Sequence, residues 1–260
     1  INHLLISNNI TPIFLKGTGN LLNNLYEDIS ERMVGDIDII VSNNDYDNCI
    51  ELLKSKGYDN DIKIMENAKL GKHYPRMNHP KKNMAIEVHF KILKDNFSKN
   101  LDYKTLFKNT ITVNDNIRIL NSEYQSLHTI FNKQINDLGY WHKTVSLRNL
   151  YDIFLLSNNV NTLTTIKKIS NHFNIANTFL ASASYFLNTQ KIKYQENLEV
   201  QKFIKKQEEF LENPNKQKSN IQKWNLFFNS KTRIKKLKMA FYNKEVRNHL
   251  KNLIKTKLNG

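Results

Sequence analysis

The spacing of the apolar residues changes near residue 120, and that change sets what the chain can fold into. Before it, apolar residues come in short runs broken by glycine, proline and asparagine: TPIFLKG (residues 11–17), VGDIDIIVS (34–42) and MAIEVHF (84–90). From SEYQSLHTIFNKQI (122–135) onward they recur at three- and four-residue steps, with Pro214 the one proline. The first pattern has the period of a strand and the second that of a helix. The expected fold class is therefore α+β: a mixed sheet with helices over residues 1–118, then an all-helical region over 119–260. A chain of 260 residues has room for a core in each part.

Within the first part, TPIFLKG reads as a buried strand ending in a glycine turn. The helix TGNLLNNLYEDI follows, with Thr18 placed to cap it. The segment DYDNCIELLKSKGY reads as a second helix, begun at Asp45 and ended at Gly57. KHYPRM and MAIEVHF read as the strands of a hairpin joined by NHPKKN, with His73 and His79 as surface residues. In the second part, VSLRNLYDIFLLS reads as a helix with Leu147, Leu150, Tyr151 and Phe154 on its apolar side. NPNKQKSN (213–220) is the one stretch whose composition suggests disorder.

Side chains two apart in a strand share a face. Asp36 and Asp38 therefore point one way, and Ile37 and Ile39 the other. Glu87 and His89 likewise share the polar face of MAIEVHF. If the two strands are neighbours, three carboxylates converge, which is the donor set that a hard cation such as Mg²⁺ or Mn²⁺ takes. Two such ions can activate a hydroxyl and stabilise a leaving pyrophosphate. Lys16 and Arg32 would add positive charge for a triphosphate, and the KGT turn would bring backbone N–H groups to it. The plain alternative is a polar strand end. If the pair holds metal, two like charges side by side repel without it, so Asp38→Asn is expected to stabilise the metal-free protein; a purely structural Asp38 predicts the opposite, lost stability in metal-free buffer and no specific loss of NTP chemistry.

The single cysteine, Cys49, excludes a disulfide framework and reads as a core thiol. No apolar run approaches the ~20 residues of a membrane span, and the first residues lack the pattern of a secretion signal. A cytoplasmic location with no membrane partner is the expectation. The net charge of +15 favours anionic partners. Residues 231–260 carry ten lysines and arginines against Glu245 alone. Lys235, Lys236 and Lys238 lie in this tail, which reads as a solvated face or as a contact for RNA.

FLKGTGNLLNNLYEDISERMVGDIDIIVSNNDYDNCIELLKSKGY, then KHYPRMN, IEVHF and SLRNLYDIFLL, resembles the uncharacterised nucleotidyltransferase family of the DNA polymerase β-like superfamily. The resemblance covers roughly residues 10–160 and rests on five motifs in order. It implies a polymerase β-like palm that moves a nucleoside monophosphate from an NTP to an acceptor, with Mg²⁺ or Mn²⁺. Asp36 and Asp38 would be the metal pair and Glu87 the third carboxylate, helping to deprotonate the acceptor. Gly17 and Thr18 fill the place of a Gly-Ser turn that contacts phosphates; Thr keeps the hydroxyl. His89, Arg148 and Asp152 would be accessory, the last two spaced to pair with each other on one helix. The acceptor could be RNA, a protein, a peptide or a small metabolite. The alternative is an inactive scaffold that binds nucleic acid or a partner protein through the basic helical half.

Overall fold

The computed structural model describes residues 1–60, 71–94, 101–168, 172–244, 246–248 and 250–251. Glu245, Lys255 and Lys257 of the basic tail lie outside them. The architecture is α+β. Six strands form one mixed sheet: β1 (Ile13–Phe14), β2 (Asp36–Ile40), β3 (Met77–His79), β4 (Lys82–His89), β5 (Thr110–Val113) and β6 (Ile117–Leu120), in the order β3-β4-β2-β1-β6-β5. β2 runs parallel to β4 and antiparallel to β1, and β1 runs parallel to β6. After Leu120 no described residue lies in a strand.

The period of two in the strands is what builds the two faces. Phe14, Ile39, Ile86, Val88 and Ile119 point to one side, where they pack with Leu5 of α1 (Asn2–Ile6) and Cys49, Ile50 and Leu53 of α3 (Tyr46–Ser55). Cys49 is fully buried there, and burial pushes its thiol up to about 12, so it is an inert core group. Ile13, Leu15, Ile40 and Leu120 point to the other side, against the helical region. That region meets the sheet through α5 (Ser122–Phe131), on which α7 (Leu147–Leu156) and α9 (Phe173–Phe186) pack. One continuous apolar cluster therefore joins the sheet to Leu127, Phe131, Leu150, Ile153 and Leu180.

Several local expectations shift. The expected glycine turn is the first turn of a helix, α2 (Lys16–Leu22), which begins two residues before Thr18, with Leu15 at the N-cap and no side-chain cap. Asp45 does precede α3, but its carboxylate accepts from the Ser42 hydroxyl at 2.7 Å instead of capping the helix. Gly57 ends that helix at φ +86°, a left-handed value that favours glycine. The hairpin is displaced: β3 and β4 extend into NHPKKN, and the ladder is interrupted at Pro75, which has no N–H to give it. Upstream of that break the Tyr74 N–H still donates to the Val88 carbonyl at 2.8 Å. In α7 the buried side is Leu150, Ile153 and Leu156, while Leu147 and Tyr151 are exposed. NPNKQKSN is ordered as a helix start. Asn213 accepts from the Lys216 N–H at 3.2 Å and Pro214 takes the first helical position of α11 (Pro214–Tyr242).

Candidate active site

The parallel pairing of β2 with β4 sets Asp38 beside Glu87 and Ile40 beside His89. Paired residues of adjacent strands share a face, so the polar residues of both strands meet on the side that the helical region covers. Asp38 is buried and accepts from the Lys16 ammonium and from His89 Nε2 at 2.8 Å. Glu87 Oε2 lies 3.5 Å from Lys16 Nζ, 3.6 Å from His89 Nε2 and 3.9 Å from His73 Nε2. Burial raises the Glu87 pKa, but His89, His73 and Lys16 outweigh it and hold the carboxyl below the usual range.

Ligand atoms from Asp38, Glu87 and His89 lie within 4.8 Å of one another, a spacing that fits a cation between them. Asp36 is outside that trio, half-buried at the head of β2. Burial, then Asp38 and Glu87, raise its carboxyl above the ordinary range. The like-charge repulsion read from the sequence is thus present, and it falls on Asp36.

Lys16 holds the cluster together. It stands at the start of α2 with φ +52°, a left-handed value uncommon for a residue with a side chain. Gln125 of α5 fixes that turn by donating from Nε2 to the Lys16 carbonyl at 2.8 Å. Burial lowers the Lys16 pKa, but Asp38 and Glu87 more than reverse this, so the ammonium persists. Thr18 donates from its hydroxyl to the Asp36 carbonyl at 3.3 Å. Gly17 is buried, and a Cβ there would stand 3.1 Å from the Arg32 guanidinium and 2.9 Å from Val34. At Gly19 the added carbon would meet the Phe14 carbonyl oxygen at 2.9 Å. Gly19→Ala should therefore destabilise the fold by about 1–3 kcal/mol, read as a lower midpoint in urea with unchanged slope.

Arg32 and Asp152 are brought together instead of Arg148 and Asp152. Arg32 Nε lies 3.2 and 3.3 Å from the two Asp152 oxygens, and Arg32 Nη1 donates to the Met33 carbonyl at 2.8 Å. Arg148 is exposed and forms no ion pair among the described residues. Asp152 also accepts from the Tyr26 hydroxyl at 2.8 Å, Tyr26 from Asn20 at 3.0 Å, and Asn20 from Gln125 at 2.7 Å. This buried chain ties the Lys16 turn to α5 and α7.

Sequence reasoning missed four residues here. His73 is half-buried, not a surface group, with its ring 4.8 Å from that of His89; His79 stays at the hairpin, away from the site. Lys72 is buried and donates to Asn132 at 3.4 Å; burial, with Lys16 beside it, pulls its pKa down to about 8. His128 of α5 is buried with neither ring nitrogen paired among the described residues, and burial, Lys16 and Lys72 keep it neutral. Gln125 had no periodic signal to betray it, because its role is set by a turn 109 residues away.

The depressed Lys72 pKa has a measurable sign. Between about 8 and the ordinary 10.5 the unfolded chain holds a proton that the folded one has lost. Stability should rise with pH through that window and fall as pH drops through about 8. Urea midpoints taken from pH 7 to 11 should show the rise in wild type and a flatter course in Lys72→Met.

The family model of the uncharacterised nucleotidyltransferases matches residues 1–184, which contain the sheet, the carboxylates and Asp152. The chain belongs to the uncharacterised nucleotidyltransferase family. Its six-stranded mixed sheet and helical C-terminal region are consistent with a nucleotidyltransferase fold. Membership supports nucleotidyl transfer as the activity. No curated protein and no solved structure matches this member of the family. Among the described residues no helix is long and apolar enough to cross a membrane.

Proposed function

We propose that the chain transfers a nucleoside monophosphate from an NTP to a hydroxyl or phosphate of an acceptor and releases pyrophosphate. The acceptor oxygen bonds to the α-phosphorus, the bond from that phosphorus to the bridging oxygen breaks, and the acceptor proton passes to the carboxylate cluster. The observation that carries this reading is the in-register pairing of Asp38 with Glu87 around a cation, the Lys16 ammonium.

The donor set fits a divalent metal: two carboxylates with a histidine nitrogen beside them, and Asp36 at the rim. Asp36, Asp38 and Glu87 would hold Mg²⁺ or Mn²⁺, which when bound supplies charge for the leaving pyrophosphate. Lys16, released from the carboxylates, would turn to the triphosphate, with Gly17, Thr18 and Arg32 beside it. His89 would orient Asp38, while Arg148 offers an exposed charge to the acceptor. Residues 1–118 would carry the chemistry and 119–260 shape the acceptor pocket. An NTP-using reaction would suit a cytoplasmic location, where those substrates are abundant.

The test is incubation with each of four α-labelled NTPs, Mg²⁺ or Mn²⁺, and lysate divided into RNA, protein and small molecules. Metal-dependent label in one fraction is the expected result, and no label in any fraction refutes the reading.

One observation favours a second reading. Lys16 already pairs with both carboxylates and balances one of their charges, so the site is held without a metal, as in an inactive scaffold whose basic helical half binds nucleic acid or a protein. Calorimetric titration with Mn²⁺ separates the two. In an enzyme, Lys16→Met should tighten Mn²⁺ binding by on the order of tenfold, because no ammonium has to be displaced. In a scaffold neither form should take up the metal.

A further inference from the structure

The longest helix, α11, lies beyond the stretch matched by the family model. Its first half is docked. Asn220 donates to the Trp141 carbonyl at 3.0 Å, Asn225 pairs with His142 at 3.1 Å, and Phe228 packs edge-on to Trp141 with centroids 4.9 Å apart. The opposite side of the helix is open. Leu226, Phe227, Ile234, Leu237 and Phe241 are each between 54% and 78% exposed. At 3.6 residues per turn these five fall within an arc of about 100° and run for about 22 Å along the axis. That is the width of an apolar stripe that ordinarily faces a core. Lys231 and Lys238 border it on one side and Arg233 on the other. From Pro214 to Tyr242 there are eight lysines and arginines and no acidic residue.

We infer that this face of α11 binds an anionic lipid surface. Large apolar side chains need a phase to enter, and the rims need negative charge; acyl chains edged by headgroup phosphates provide both in one geometry. RNA would satisfy the rims and stack bases on Phe227 and Phe241, but it would leave the aliphatic Leu226, Ile234 and Leu237 wet. A second copy would cover the stripe and bring a second set of positive rims against the first. The docked side points away from the stripe, so the body of the protein would sit above the surface. The expectation of no membrane partner rested on the lack of a spanning segment, and a helix lying in the interface needs none. The inference is independent of the nucleotide site.

The experiment is co-sedimentation of the full chain with vesicles of phosphatidylcholine alone, or with one third phosphatidylglycerol. Strong partition into the anionic vesicles only, weakening as salt rises, is expected. Ile234→Gln with Leu237→Gln should reduce partition at least about tenfold by removing the apolar anchor. Lys231→Gln with Lys238→Gln should reduce it roughly twentyfold. Both pairs are exposed, and unchanged melting would confirm that they fold. No binding to anionic vesicles, or equal binding to neutral ones, would overturn the inference. So would a dimer in sedimentation velocity, or an RNA complex, that the Ile234→Gln, Leu237→Gln pair dissolves.

Discussion

Asp38→Asn is expected to abolish nucleotidyl transfer and also to lower the melting temperature in EDTA. The second half of that result reverses the sign drawn from the sequence alone. Seen only as one of two like charges, Asp38 should be better neutralised. In the folded chain its buried carboxylate accepts from Lys16 and from His89 Nε2. An amide cannot balance the ammonium, which is left with Glu87 at 3.5 Å. The repulsion relieved at Asp36 is the smaller effect, because Asp36 is half-exposed and takes up a proton more readily. Weakening a largely buried pair by one charge should cost about 2–3 kcal/mol. For a chain of this size that is a fall of roughly 5–10 °C. Transfer should fall by about a thousandfold or more, since the carboxylate would hold the metal that carries the pyrophosphate charge. Activity has to be measured well below both melting points so that unfolding does not imitate lost chemistry. Near-normal transfer under those conditions would remove Asp38 from the mechanism. An unchanged melting curve would remove it from the Lys16 and His89 network.

The parts of this site that the sequence reveals are those governed by local period. Alternation puts Asp36 and Asp38 together on one face of β2, and Glu87 and His89 together on one face of β4, whatever the fold. Their meeting depended on the two strands being neighbours, and the parallel register supplies that. The helix after β1 is equally local in kind, although it takes in Gly17 and stops at Leu22, short of the Ile29 that the spacing suggested. What local rules could not show is where long side chains end. Lys16 reads as a solvated or triphosphate-facing lysine until a left-handed backbone aims it at Asp38 and Glu87. His73 stands before a proline that interrupts the ladder, so no alternation pattern assigns it a face. The spacing of Arg148 and Asp152 satisfies the helix-pair rule, yet a partner 120 residues away wins because it is buried and Arg148 is not.

That partner gives the largest expected effect on stability. Asp152→Ala should leave the Arg32 guanidinium buried with its charge unmatched, at a cost of about 3–5 kcal/mol. It also strips the Tyr26 hydroxyl of its acceptor. Replacing both partners, Arg32→Met with Asp152→Leu, should recover much of the loss, because two apolar groups need no counter-charge. A double-mutant cycle in urea should therefore show coupling well above the few tenths expected of independent sites. The same variants test whether Arg32 serves the triphosphate. Asp152→Asn keeps the shape and the Arg32 charge, so it should lower stability while leaving the KM for NTP near wild type. Arg32→Met should raise that KM if the guanidinium reaches substrate through the edge not bonded to Asp152. Equal KM values in both variants, with the stability loss intact, would make Arg32 a strut. Its work would then be to press on Gly17 and hold the turn from which Lys16 reaches the carboxylates.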